Sequence, residues 1–527
     1  MEIAQELAQV LIDGKWQNAD VESTFHAENP ATGETLPRAF PVSTWSDCDR
    51  ALAAASKAAV ELRGVTPDKI ASFLEAYAFR LESATTELVA AAHEETALPI
   101  SPRLKDVELP RTTNQLRQAA TAVREESWKR ATLDLERNIR SYFAPIGPVI
   151  VFGPNNFPFA FNGISGGDFA AAIAAGNPVI AKAHPLHPNT SRLLAEQALK
   201  AAEETGFPTR AVQLIYAISN ENGLRLVSEP RVGAVGFTGS KNAGLHLKRA
   251  AEEAGKPIYL EMSSINPVIF LPGALAEEEE RLARELVDSC LAGAGQFCTS
   301  PNLVVLWDGP VAESFLNSVA IAFRERPTQS LLSFAGRKQL HAGVTALVDA
   351  SAELVTGGKP ADGAGARYQN TLLRTTGKQF LSRPHDLQRE VFGNVTMAVT
   401  VRNVEELQSM LEHLEGNLTG TIYSSKTGTD NETYSVIEPL LRPKVGRLLN
   451  DKMPTGVAVS PAMNHGGPFP ATSHPGFTSV GIPSALTRFA VLQSYDGVRE
   501  DRLPPILRNT ISNPATWRSI DGAWVKG

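Results

Sequence analysis

Along the first third of the chain, alanine and leucine return at three- and four-residue spacing. Three long stretches carry this period: Asp47 to Leu62, Thr66 to His93 and Arg103 to Trp128. Such spacing places the apolar residues on one face of a helix, so the stretches predict amphipathic helices, the second of them divided in two. Before them lie two turn-bearing segments, Leu11 to Trp16 and Asn29 to Glu34. Between Asn138 and Val149 the period changes to two, with Ile139, Ser141 and Phe143 alternating against Arg140 and Tyr142, which predicts an extended segment.

From Gly147 the pattern becomes strand, turn, helix, repeated. Apolar runs at Pro148–Phe152, Pro178–Lys182, Ala211–Tyr216, Val232–Phe237 and Ile258–Met262 alternate with helical stretches. Those stretches are Ile164–Ala175, Asn189–Glu204, Asn222–Ser228 and one closing at Ala254 before Gly255. Units of this size predict a doubly wound parallel sheet, which binds ligands beyond the carboxyl ends of its strands. Lys182, Thr238-Gly239-Ser240 and Glu261 fall at such ends, and Asn155-Asn156 just past one.

A second alternation begins after Asn266. Strands are expected at Val268–Leu271, Leu303–Trp307, Val395–Val401, Gly420–Tyr423 and Val445–Leu449. The helices expected with them are Ala276–Leu291, Val311–Glu325, Val404–His413 and Asn431–Leu441. This is a second α/β domain. The Gly- and Pro-rich stretch Gly466 to Gly476 reads as a functional loop, and the last residues, from Arg499, show no interpretable pattern.

Length supports the division, since 527 residues exceed what one hydrophobic core organises. A net charge of −7 with no basic patch argues against nucleic acid or a membrane surface as partner. No stretch approaches the roughly 18 unbroken apolar residues that span a bilayer, and the acidic start Met-Glu-Ile-Ala-Gln-Glu lacks a signal-peptide core. Cys48, Cys290 and Cys298 fit neither a disulfide framework nor a metal-ligand spacing, so no metal and a reducing, cytoplasmic setting are expected.

Cys298 differs in its surroundings. It sits in Gly293-Ala294-Gly295-Gln296-Phe297-Cys298-Thr299-Ser300-Pro301, between a helical and an extended run. Small residues leave its sulfur approachable, and Pro301 prevents a helix from starting there. A thiol in such a bend is a candidate nucleophile rather than a core filler.

Five motifs then fall in one order. Gly295-Gln296-Phe297-Cys298 resembles the active-site cysteine motif of the aldehyde dehydrogenase superfamily, and Pro154-Asn155-Asn156-Phe157-Pro158 its Pro-Trp-Asn-Phe-Pro. Phe237-Thr238-Gly239-Ser240, with Gly244 further on, resembles its Phe-Thr-Gly-Ser segment. Leu260-Glu261-Met262 resembles its Glu-Leu-Gly-Gly and Glu390-Val391-Phe392-Gly393 its Glu-Ile-Phe-Gly. The resemblance covers nearly the whole chain. It implies an aldehyde-dehydrogenase-like α/β fold: a Rossmann-like cofactor domain (1–126 and 146–261) and a catalytic domain (262–475). A small β bridging segment (127–145 and 485–500), a tail (501–527) and a homodimer or homotetramer complete it.

The resemblance also implies roles. Cys298 would attack an aldehyde and pass through a thioester, with the Asn156 amide and the Cys298 N–H facing the oxyanion and Glu261 as the base for water. Lys182 would bind the adenosine ribose, with His184 beside it. Gly239 and Ser240 would bring a helix N-terminus to the pyrophosphate, and Glu390 would bind the nicotinamide ribose. Phe237 and Phe392 complete the cofactor set through their motifs.

Cofactor choice turns on one position. NAD-preferring relatives commonly carry a glutamate three residues after the strand-end lysine; here that position is Pro185. A carboxylate there would repel a 2′-phosphate by about 4 kcal/mol per charge pair at ~4 Å and an effective dielectric of ~20. NADP is therefore expected, with NAD the alternative. Asn155 for tryptophan, Ser263-Ser264 for a glycine pair, Asn394 for proline and the loop Gly467 to Thr472 depart from the usual pattern. Together they resemble the branch holding α-ketoglutaric semialdehyde (2,5-dioxovalerate) dehydrogenases and a bacterial long-chain fatty aldehyde dehydrogenase. The first implies oxidation of 2,5-dioxopentanoate to 2-oxoglutarate; a CoA-acylating relative is the remaining alternative.

Overall fold

The computed structural model describes residues 7–527. The four parallel strands Val149–Phe152, Val179–Lys182, Val212–Ile215 and Ala234–Thr238 are apolar almost end to end, because helices cover both faces of their sheet. Including Ile258–Glu261 and the antiparallel strands Val10–Ile12 and Lys15–Gln17, this sheet has seven strands. Val149–Phe152 is flanked by Val179–Lys182 on one side and Ala234–Thr238 on the other. The chain reverses direction across the sheet at that point, which opens a crevice at the strands' carboxyl ends. Register keeps those ends level, with Phe152 opposite both Lys182 and Phe237, and Thr238 opposite Glu261.

The alanine-rich helix Gly167–Ala174 lies flat on this sheet because its side chains are small enough to fit beneath the next helical layer. That layer is formed by Pro67–Ser83, Leu109–Glu125 and Pro188–Thr205. The single acid of the short helix, Asp168, is answered by Arg488 at 2.7 Å.

A second seven-stranded sheet runs Glu353–Thr356, Thr371–Thr376, Val395–Val401, Leu303–Trp307, Val268–Phe270, Asn417–Tyr423 and Val445–Asn450. All but the first are parallel. Helices Pro272–Leu291 and Pro310–Glu325 share one apolar layer, and Phe334–Asp349, Val404–Glu412 and Asn431–Leu441 another.

The third sheet corrects the reading of the tail. Ala490–Asp496 pairs with Ile139–Pro145 along its length, and Thr132–Asp134 pairs in parallel with Trp517–Ile520, which turns back into Ala523–Lys526. Two buried arginines fasten this region. Arg140 donates to Glu500, the Leu507 carbonyl and Asn509, while Arg518 reaches the Ile506 and Asn509 carbonyls. Leu503, Ile506 and Leu507 add a small apolar cluster with Ala131 and Leu133, but they fall in or beside single turns too short to show a helix or strand period.

Candidate active site

Residues from both large sheets line one cleft: Asn156, Gly239, Ser240, Glu261, Cys298, Glu390 and Phe392 among them. Lys182, His184 and Phe237 do not line it. Phe237 lies beneath it, its ring 6.3 Å from that of Phe152 and under the Gly239 backbone. Ser240 caps the helix Lys241–Glu253, accepting from the Ala243 N–H, so the free N–H groups of that first turn face the crevice.

Lys182 ends its strand in a surround that lowers its ammonium to about 8 by desolvation. It has no acidic partner among the described residues. Desolvation, and then the charges of His187 and Lys182, hold His184 well below the usual imidazole range. His184 is therefore neutral: Nδ1 accepts from the Leu186 N–H, which leaves Nε2 as a donor. These groups fit an anionic, hydroxyl-rich ligand, and the pair Lys182 and Ser240 is where a dinucleotide would be held.

The cysteine loop leaves its helix through a left-handed run, with φ of +55° at Gly293, +55° at Ala294 and +69° at Gly295. A Cβ on Gly295 would stand 2.1 Å from the Gly393 carbonyl oxygen, so only glycine permits this contact with the Glu390 loop. Asn266 fixes the other side, its amide donating to the Cys298 and Ser300 carbonyls at 2.9 Å. Ser264, one of the departures from the family pattern, bonds Asn266 and the Leu418 N–H and so joins this scaffold. Ser263 instead faces Glu390. Burial pushes that carboxyl up to about 7, and the Ser263 hydroxyl and Ser264 N–H hold it from going higher.

The structure brings Cys298 and Glu261 together through a residue the sequence reading did not single out. His465 Nε2 lies 3.3 Å from Cys298 Sγ and 2.9 Å from Glu261 Oε1. Ser479 donates to the other Glu261 oxygen at 3.1 Å. The His465 ring is set by its own backbone, which donates to Thr478 Oγ1 and accepts from the Ser479 N–H. The loop passes so close to the second sheet that a Cβ on Gly446 would lie 1.8 Å from the Gly466 carbonyl oxygen. It also bonds the first sheet, Met262 N–H donating to Ala471 O at 2.8 Å. One segment thus holds the histidine between two domains. A histidine immediately before the Gly/Pro-rich loop was the only signal in the sequence.

The electrostatics of this chain of groups favour proton movement. Burial, with the Glu261 charge behind it, pushes the Cys298 thiol well up, so the resting sulfur is protonated. Burial alone would raise Glu261, but His465 and the Ser479 hydroxyl draw it below the usual carboxylate range. The three ligand atoms lie within 4.8 Å and are of types that bind soft divalent ions. Each already has a hydrogen-bond partner in the set, and because both contacts of the imidazole use Nε2, that nitrogen serves them in turn: protonated, it donates to Glu261, and unprotonated, it accepts from the thiol. Asn156, 7% exposed, spends one amide N–H on the Gln296 carbonyl at 3.0 Å and keeps the other.

Beside the relay is an apolar wall of Phe157, Phe161, Phe297, Val457, Val459 and Met463, with the Phe161 ring 5.8 Å from that of His465. Two arginines adjoin it, Arg111 and Arg447. Neither stood out in the sequence, where Arg111 was one residue of an amphipathic stretch.

The aldehyde dehydrogenase family profile matches residues 16–447. Alpha-ketoglutaric semialdehyde dehydrogenase 2 of Azospirillum brasilense is 37% identical over 521 residues, covering 97% of this chain and 98% of that protein. An alpha-ketoglutaric semialdehyde dehydrogenase of Acinetobacter baylyi is 35% identical, over 89% of this chain and 90% of its own. Among solved structures, an aldehyde dehydrogenase C mutant of Pseudomonas syringae with NAD+ and octanal superposes with a TM-score of 0.80. It covers 94% of this chain and 98% of its own at 20% identity, a likeness of fold.

Proposed function

The chain belongs to the aldehyde dehydrogenase family, and on that premise we propose that it oxidises 2,5-dioxopentanoate to 2-oxoglutarate with NADP as the preferred acceptor. The observation that carries the chemistry is the relay of Cys298, His465 and Glu261, of which Cys298 and Glu261 open on the cleft.

Cys298 cannot attack as a thiol, and its resting proton has two acceptors in reach, the Glu261 carboxylate and, when that nitrogen carries no proton, His465 Nε2. Glu261 lies against the same nitrogen, so a proton that Nε2 takes from the thiol is donated on to its carboxylate. Attack on the aldehyde carbon places negative charge on oxygen, where the free Asn156 N–H and the Cys298 backbone N–H would donate. When bound, the nicotinamide supplies the hydride acceptor that turns this adduct into a thioester. The Glu261–His465 pair then returns this proton to solvent and takes one from the water that releases the acid. A CoA-acylating enzyme has no use for such a base, which supports water as the final acceptor.

The substrate assignment is supported by the similarity to the two semialdehyde dehydrogenases over nearly the whole chain. For the cofactor, the support is a strand-end ammonium without an acidic partner and Pro185 in place of a repelling carboxylate. The test is a panel of aldehydes with either cofactor. 2,5-Dioxopentanoate with NADP should have the highest kcat/KM, and Pro185→Glu should lower kcat/KM for NADP about tenfold or more beyond any loss with NAD. Long-chain aldehydes ahead of semialdehydes, or NAD preferred by wild type, would overturn the respective half.

An oligomer fits the bridging sheet. Its edge strand Ala490–Asp496 leaves Val491 and Leu492 exposed, Leu492 at 57%, beside unpaired backbone. We assign this edge to the subunit contact of a homodimer or homotetramer.

A further inference from the structure

We propose that Arg111, assisted by Arg447, is the subsite that receives the carboxylate at the far end of the substrate. The inference rests on the reading of a carboxylate-ended aldehyde given above, and supplies the residues for it.

Arg111 sits near the start of helix Leu109–Glu125 with its guanidinium above two rings of the apolar wall, 5.1 Å from the Phe161 centroid and 5.6 Å from that of Phe157. Its Nε donates to Gln115 Oε1 at 3.2 Å. Its Nη2 is buried and has no hydrogen-bond partner, and no acid pairs with Arg111 among the described residues. The contrast with Arg103 is informative. Arg103 packs on the same Phe157 ring at 4.4 Å, but its charge is answered by Glu108, whose other oxygen accepts from the Phe159 and Ala160 N–H groups. One arginine at this wall therefore serves the fold, while the other has donors to spare.

Arg447, on strand Val445–Asn450, spends Nη1 and Nη2 on the Gly456 and Pro454 carbonyls and likewise has no acidic partner among the described residues. Burial lowers both guanidinium groups, the charge of Arg111 lowers Arg447 further, and the Cys298 sulfur acts on each in the opposite sense. The two cations and the nucleophile thus share one electrostatic neighbourhood. Charge partly withdrawn from water without an acidic partner is unfavourable, and a carboxylate is the group that relieves it, as two oxygens can meet the planar fork of N–H donors. A short aldehyde chain lying along Phe157, Phe161 and Phe297 would put its aldehyde carbon at Cys298 and its anionic end toward Arg111. A long aliphatic chain would instead cover the guanidinium with nothing to answer its charge.

The experiment compares 5-oxopentanoate with pentanal, equal in length and differing in the terminal carboxylate, in wild type, Arg111→Gln and Arg111→Lys. The quantity read is the ratio of the two kcat/KM values within each protein, so that any general effect on the Cys298 thiol cancels. Arg111→Gln should reduce this ratio on the order of 10²-fold, mainly through KM for the acid, and Arg111→Lys should restore part of it by keeping the charge. Residual pentanal oxidation and an unchanged melting temperature identify a folded variant. A ratio unmoved in Arg111→Gln, whether both substrates fall together or neither does, would overturn the subsite. A wild type that already prefers pentanal to 5-oxopentanoate and 2,5-dioxopentanoate would instead overturn the substrate reading from which it starts.

Discussion

Exchanging Cys298 for serine should reduce steady-state turnover on the order of 10⁴-fold or more, with cofactor affinity and melting temperature little changed. The substitution is nearly isosteric, and the loop that positions residue 298 is held by backbone contacts, namely the Asn266 amide on the Cys298 carbonyl and the Gly295–Gly393 approach. What changes is the proton. His465 can deprotonate a thiol even when burial has raised it, but a hydroxyl is a far weaker acid and gives almost no anion at neutral pH. The measurement pairs initial rates with a fluorescence titration of NADPH. Turnover within tenfold of wild type would remove Cys298 from the role of nucleophile.

His465→Gln should lower kcat by roughly 10²- to 10³-fold, the range of a general base, while keeping a polar contact to Glu261. The pH dependence carries a definite sign. Burial and the Glu261 carboxylate push the Cys298 thiol up, so without the imidazole the thiolate exists only at higher pH. The acid limb of the kcat/KM profile should move upward, and alkylation of Cys298 by iodoacetamide at neutral pH should slow in parallel. A profile and an alkylation rate equal to wild type would show that the 3.3 Å contact carries no proton.

The two sequence stretches that ended parallel strands were legible because such strands are buried on both faces. A polar residue at the close of an apolar run, such as Lys182 or Glu261, is then conspicuous. Cys298 stood out through the glycines around it, one of which is required by the close carbonyl of Gly393. His465 gave no comparable signal, as its partner Glu261 lies 204 residues away and their bond leaves no local period. Arg111 was hidden differently. On a helix that is amphipathic overall, one arginine flanking the buried face looks like any solvated charge until Phe157 and Phe161 are seen beneath it. The run from Phe334 to Thr376 was left unread as well, since its helix carries Gly336 and Gly343 and its strand Thr371–Thr376 is half threonine. The sheet made by the tail is another case: buried arginines, backbone carbonyls and a few apolar residues in irregular turns fix its order, and hydrophobic periodicity does not report them.

The central claim, that one relay serves thioester formation and then its hydrolysis, is met most directly by rapid mixing of Glu261→Gln with NADP and substrate. A neutral imidazole alone can still take the proton of Cys298, but without the carboxylate it is a poorer base for water. The account predicts a burst of NADPH near one per active site, followed by steady turnover reduced by ~10²-fold or more, with the acyl group recoverable on Cys298 by mass after acid quenching. Absence of both burst and acyl-enzyme would make Glu261 indispensable to the first half-reaction and contradict the account, in which its carboxylate only assists there and acts as the base for water in the second.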